Sequence, residues 1–191
     1  VFVNQRHKVL FFHNPKTAGR SLFQTFGFSE GENIRLSHFY PEEAKTTIFQ
    51  ETWGDYWKFA FVRNPWDRYV SLYEFHKQSP YIAKYNWKSQ QIARAYSFRE
   101  WMFYNRNRFI FATWWGDPQS LWWKGMDCVF KFEELDTAVE EISKHLPPIQ
   151  PLMHDNATVR KPYQDYYNKD LVGIVAEIDR ETIKQFGYKF G

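Results

Sequence analysis

The chain has 191 residues, a length that suits one domain with a sizeable core. Its formal net charge is +3, which agrees with an anionic ligand, but no Lys/Arg run has the character of a nucleic-acid patch. A single cysteine, Cys128, excludes an internal disulfide, the six histidines lack metal-ligand spacing, and no run of about 18 apolar residues forms a membrane span.

The apolar run Val9-Leu10-Phe11-Phe12 predicts a buried strand over about 8–13. The loop His13-Asn14-Pro15-Lys16-Thr17-Ala18-Gly19-Arg20-Ser21 follows. After it, Leu22-Phe23-Gln24-Thr25-Phe26-Gly27 predicts a short helix over 21–26 with a glycine stop. A strand, a small-residue loop with a lysine and hydroxyls, and a helix start form a holder for a phosphate-like group. Backbone N–H groups and the positive helix end face the anion, and the lysine adds a full charge. The order is not that of a Walker A loop, because Lys16 comes first and Gly19 three residues later.

Next come a loop with Ser37-His38-Phe39-Tyr40, a helix over 41–50 and a strand over 57–63 built on Phe59-Ala60-Phe61-Val62. Arg63 lies at the carboxyl end of that strand. Asn64 as N-cap, Pro65 at the first helical position and Asp67 in the first turn predict a helix over 65–77. Asn64, Arg68, Ser71 and Phe75 share one face of it. Trp66, Val70 and Tyr73 form a second stripe, expected to pack on the sheet.

Ser97 and Glu100 predict a capping box before Trp101-Met102-Phe103. A Trp-rich stretch spans 114–123, and a strand over 128–132 carries Cys128 as a buried, inert thiol. Thr137 and Glu140 read as another capping box, opening a helix that carries Val139, Ile142 and Leu146 and stops at Pro147-Pro148. A last helix over 169–186 has Asn168 as cap, Leu171, Val175 and Ile178 on its core face, and Gly187 at its end. Strands alternating with helices predict an α/β fold: a single P-loop-like domain over 1–191, with a mostly parallel central sheet flanked by helices. Ligands of such sheets sit at the carboxyl ends of the strands, where both motif segments fall. Residues 77–125 read as a helical and aromatic insertion in that domain.

Pro15 to Ser21 resembles the 5′-phosphosulfate loop of sulfotransferases that use 3′-phosphoadenosine-5′-phosphosulfate (PAPS), whose pattern is Pro-Lys-Thr-small-Gly-Thr/Ser-Ser. Arg20 is the one departure and removes a possible hydroxyl donor. Arg63-Asn64-Pro65-x-x-Arg68-x-x-Ser71 resembles the 3′-phosphate motif of the same family. Thinner resemblances lie at Pro118 to Trp122, Cys128 to Leu135, Asn156 to Thr158 with Tyr163, Tyr166 and Tyr167, and Phe186 to Phe190. The nearest type is the carbohydrate-directed one.

The resemblance implies in-line transfer of a sulfuryl group from PAPS to an acceptor hydroxyl or amine, leaving the bisphosphate nucleotide PAP and requiring no metal. Lys16 would meet charge on the bridging oxygen, while Thr17, Ala18, Gly19, Arg20 and Ser21 cradle the phosphosulfate. Arg63 and Ser71 would bind the 3′-phosphate, and Arg68 would hold the helix through an ion pair. Arg160 and Lys161 either close over the 3′-phosphate, meet an anionic acceptor or form a solvated loop.

Candidate bases are His13, His38, His76, His154 and several carboxylates. His38 is favoured, because carbohydrate-type members often carry a histidine in this interval and imidazole titrates near neutral pH. The bland reading of His38 is a surface or capping residue. His13 fits a loop-orienting role, His76 a structural one, and His145 the end of a helix. Trp114 and Trp115, with His38, are the acceptor-side candidates, although such tryptophans also serve as core. The acceptor, a small molecule or a glycan, stays open among sugars, phenols, lipids and natural products. A small-molecule kinase with an atypical loop, or a nucleotide-binding protein without catalysis, are the competing readings. No signal peptide is visible, so a soluble cytoplasmic protein is the default. The start at Val1 leaves a trimmed, Golgi-lumenal fragment as the other option.

Overall fold

The computed structural model describes residues 1–28, 33–35, 39–79, 87–107, 116–152 and 159–191. In chain order the elements are β1 (Phe2–Asn4), β2 (Val9–Phe12), α1 (Gly19–Thr25), β3 (Asn33–Arg35), α2 (Pro41–Thr47), β4 (Trp57–Val62) and α3 (Pro65–Gln78). They continue with α4 (Trp87–Ala95), α5 (Phe98–Asn107), α6 (Ser120–Trp123), β5 (Cys128–Lys131), α7 (Leu135–Ile142), α8 (Lys169–Ile178) and α9 (Arg180–Phe186). Two compact units share the chain: residues 1–63 with 119–156, and residues 64–118 with 157–191. Among the described residues no helix is long and apolar enough to cross a membrane.

The first unit holds the sheet, in the order β3-β1-β2-β4-β5. β2, β4 and β5 pair in parallel, and β1 runs antiparallel to both of its neighbours. Every strand but β1 therefore points the same way, and the α/β class with a mostly parallel sheet is as the alternation predicts. β2 and β4 lack polar alternation because both of their faces are covered. One face carries Phe2, Phe11, Phe59 and Phe61 against Leu22 and Phe26 of the α1 segment and Leu135, Ala138 and Ile142 of α7. The other carries Val3, Leu10, Phe12 and Ala60 against Ala44 of α2, Phe49 and Tyr56. This is the two-residue period of a strand divided between two layers. The register Phe11↔Phe59 stacks those rings, with centroids 4.8 Å apart.

The structure corrects two expectations in this unit. α7 begins at Leu135, so Thr137 lies inside the helix and does not cap it. A 3-10 turn at Phe132–Glu134 leads straight from β5 into the helix, and burial of Leu135 starts it early. Cys128 is half-buried rather than buried, because β5 is the edge of the sheet. Burial of the thiol, ahead of the nearby carboxylates, still pushes its pKa up and keeps it protonated.

The second unit is helical. α3 starts as its caps dictate: Asn64 Oδ1 accepts from the Trp66 N–H at 3.1 Å and the Asp67 N–H at 3.4 Å. The stripe Trp66, Val70 and Tyr73, expected on the sheet, is part of another cluster. It joins Ile92, Ala93, Phe98, Trp101, Leu171 and Val175 in a core of the helical unit's own. α4, α5 and α8 supply the apolar surface that the stripe needs. The Ser97–Glu100 box forms: the Ser97 N–H donates to Glu100 Oε2 at 2.8 Å, and the Glu100 N–H to Ser97 Oγ at 3.4 Å. The hydrogen bonds from Ser97 hold the Glu100 carboxyl below its usual range.

The expected helix over 169–186 is two helices. Asn168 caps α8 through the Leu171 N–H, and Gly187 ends α9 in a left-handed conformation. Between them Asp179 leaves helical geometry, and its carboxylate faces the fully buried Arg68, Nη1 to Oδ2 3.9 Å. Arg68 Nη1 also donates to the Asp117 carbonyl at 3.2 Å. The ion pair expected of Arg68 thus lies inside this unit.

Three phenols in this unit titrate late. Burial, first among the causes, raises Tyr69 and Tyr167 well above 10 and Tyr166 to about 12. Tyr69 donates to the Gly116 carbonyl, Tyr167 to the Trp66 carbonyl and Tyr166 to Glu74. Because the fold prefers the neutral phenols, their contribution is complete below about 10 and is lost as pH rises toward the folded values. Alkaline titration followed by phenolate absorbance should show these three of the twelve tyrosines ionising well above 10. Smooth ionisation of all twelve near 10 would contradict this packing.

Candidate active site

In the first unit β2 ends at Phe12, a loop follows and α1 starts at Gly19. Lys16 and Ala18 both take left-handed backbone, with φ of 70° and 60°. Each costs on the order of 1 kcal/mol for a residue with a Cβ, so other contacts must hold the loop. Backbone that alternates in hand turns successive N–H groups toward one side and forms an anion nest.

The holding contacts are explicit. The Thr17 hydroxyl donates to the Asn14 carbonyl at 2.7 Å, which leaves its backbone N–H as the donor Thr17 can offer a ligand. Buried Asn14 donates through Nδ2 to the Phe61 carbonyl at 3.1 Å and to Gln119 Oε1 at 3.0 Å. Gln119, also fully buried, accepts from the Arg63 N–H at 3.0 Å and donates to the Arg63 carbonyl at 2.9 Å. Arg63 Nη1 in turn donates to the Lys16 carbonyl at 2.9 Å, and its guanidinium lies over the Phe132 ring at 4.2 Å. Lys16 and Arg63, 47 residues apart in sequence, are therefore tied directly.

Around this network Lys16 and His13 are half-buried, Ser21 is buried in the first turn of α1, and Arg20 is exposed. The His13 imidazole lies over Gly19, where an added Cβ would land on the ring. This close approach is why the position needs glycine. Gly19→Ala is expected to displace His13 and cost about 1–3 kcal/mol, read as a lowered midpoint in chemical denaturation. An unchanged midpoint would mean that the ring moves aside freely.

In the second unit Ser71 is buried on α3. Arg160 pairs with Asp67 of the first turn of α3, Nη2 to Oδ1 2.5 Å, so its charge is already met by a carboxylate. Lys161 is exposed. His76 is buried and shares a hydrogen bond of 2.9 Å with Ser89 Oγ, which also accepts from Trp101 Nε1 at 3.1 Å. That position is structural. In the first unit His145 lies beyond the end of α7 and stacks on Trp57 at 3.9 Å. Stacking, more than a helix end, explains it. His38, Trp114, Trp115 and His154 lie outside the described residues.

Asn14 and Gln119 are the residues that the sequence reading did not single out. Asn14 stands in the motif loop, but nothing local pairs it with a residue 105 positions away. The only signal at Gln119 was its place in a weakly family-like segment.

A model described as the sulfotransferase family matches residues 1–147 of the 191. The match contains Lys16, Arg63, Ser71 and Gln119 and stops before Arg160 and Lys161. Searches of curated proteins and of solved structures return no match.

Proposed function

The chain belongs to the sulfotransferase family, and from that premise we propose that it moves a sulfuryl group from PAPS to an acceptor hydroxyl, with a carbohydrate as the leading acceptor class. Sulfuryl transfer is the family's general chemistry; the donor and the acceptor class are the proposal. The observation that carries it is the tie between Arg63 and the Lys16 carbonyl, since these residues stand in the two motifs that resemble the two anion sites of PAPS. A nest of backbone N–H groups, a lysine and a guanidinium form a donor set suited to a phosphosulfate and a phosphate, so the residues present fit the nucleotide.

When bound, PAPS supplies an activated sulfuryl group whose bond to the 5′-phosphate oxygen breaks as the acceptor oxygen attaches. Lys16 places its charge where negative charge grows on the leaving phosphate, and the N–H groups of Thr17 to Ser21 fix that phosphate. Arg63 and Ser71 take the 3′-phosphate. Arg160 and Lys161 belong to the nucleotide side in this reading, with Arg160 also bound to Asp67. His38 takes the acceptor proton, and Trp114 and Trp115 offer flat faces to the acceptor.

Calorimetric titration with PAP, ATP and GTP tests the donor. Binding of PAP with weak or absent ATP binding supports the reading, and tight ATP binding without PAP overturns it. A labelled-sulfate transfer screen over glycans, phenols and simple alcohols then identifies the acceptor.

A further inference from the structure

We infer that Gln119 is a positioning residue, whose single side-chain amide sets the phosphosulfate loop and the Arg63 backbone in register with each other. The inference rests on the nucleotide reading above. Gln119 has no exposed surface, and its amide makes three contacts of 2.9–3.0 Å. Two go to the N–H and carbonyl of Arg63, the residue just beyond the end of β4. In this way the side chain imitates one rung of a β-ladder at the residue where the strand has stopped.

The third contact reaches Asn14 Nδ2, which also donates to the Phe61 carbonyl on β4. Both neighbours of that nitrogen are acceptors, so the orientation of the Asn14 amide is fixed by its surroundings. Asn14 in turn offers its carbonyl to the Thr17 hydroxyl, between the two left-handed residues Lys16 and Ala18. The path from Gln119 therefore reaches the loop through Asn14 and reaches the Lys16 carbonyl through Arg63. A strained loop keeps its N–H groups aimed only while such contacts hold it. The segment that supplies Gln119 immediately precedes the one-turn helix α6, and α6 seats it: Trp122, fully buried, packs edge-on against Tyr40 with centroids 4.9 Å apart.

The test compares PAP binding by the whole chain and by Gln119→Ala, Gln119→Met and Gln119→Glu, at a temperature well below every midpoint. Gln119→Met keeps the volume and loses the hydrogen bonds. Gln119→Glu keeps the acceptor for the Arg63 and Asn14 N–H groups; ionised it would set a buried carboxylate oxygen against the Arg63 carbonyl, so it is compared at mildly acidic pH, where burial keeps it protonated and its O–H replaces the lost donor. Ile142→Val, in the apolar core of the same unit and outside the hydrogen-bond network, is the control for lowered stability. Gln119→Ala and Gln119→Met are expected to weaken PAP at least about tenfold, Gln119→Glu by less, and Ile142→Val by no more than about twofold.

Restored affinity in Gln119→Met would mean that Gln119 only fills space, and would overturn the inference. Equal affinity in all variants would do the same while leaving the nucleotide reading in place. Failure of the unaltered chain to bind PAP would remove both. Should Gln119→Ala not fold, Gln119→Met and Gln119→Glu decide the matter between them.

Discussion

Lys16→Ala is expected to lower the rate of sulfuryl transfer by about 10²–10³-fold while PAP binding weakens far less. The lysine stands in a loop whose backbone is held at φ 70° by Arg63 Nη1 on its own carbonyl. Its charge is thus aimed by contacts that survive the substitution, and alanine tolerates that backbone no worse than lysine. What is removed is a charge needed most when the leaving phosphate gains negative charge. Loss of such a charge falls on the rate more than on ground-state binding. Single-turnover transfer and calorimetric PAP binding give the two numbers. Lys16→Arg should recover only part of the rate, since a planar fork does not replace a compact ammonium. Transfer at the normal rate in Lys16→Ala would sink the role assigned to this residue.

Arg68→Ala is expected to cost about 3–5 kcal/mol in stability, enough to unfold much of the helical unit. Arg68 and Asp179 are both without exposed surface, with Nη1 and Oδ2 3.9 Å apart. Removing the guanidinium takes the facing cation from a buried carboxylate at the break between α8 and α9. The pair as a whole is less valuable than its parts suggest, because both charges were desolvated to make it. The double variant Arg68→Met with Asp179→Leu should therefore regain most of the loss. Equilibrium denaturation of the single and double variants measures both. If Arg68 served the ligand instead, Arg68→Ala would melt normally and lose PAP affinity. The motif alone could not separate these outcomes, because Arg68 shares a helical face with Ser71.

Legibility followed the range of the interactions. β2 and β4 could be read because each carries a run of four apolar residues, Val9 to Phe12 and Phe59 to Val62, and the start of α3 because Asn64 and Pro65 act within one turn. The Ser97–Glu100 box and the Asn168 cap were readable for the same reason. β1 and β3 were not, since three residues are too few to show a period. The partners of Trp66, Val70 and Tyr73 could not be read either, because a stripe shows that a face is buried and not what buries it. The unbroken periodicity over 169–186 concealed the break at Asp179, a residue that faces Arg68, 111 positions earlier.

By itself the sequence determined the strand–loop–helix segment around Lys16, the second arginine motif, the α/β class and the caps that start the main helices. All of these are written in residues within a few positions of one another, where backbone sterics and capping act. Only the tertiary structure decided that Arg63 grips the Lys16 carbonyl, that Arg68 faces Asp179 and Arg160 pairs with Asp67, and that Gln119 joins two motif segments. Each of those is a polar contact between distant positions. A buried polar group must find a partner, and its own sequence neighbourhood does not name which one.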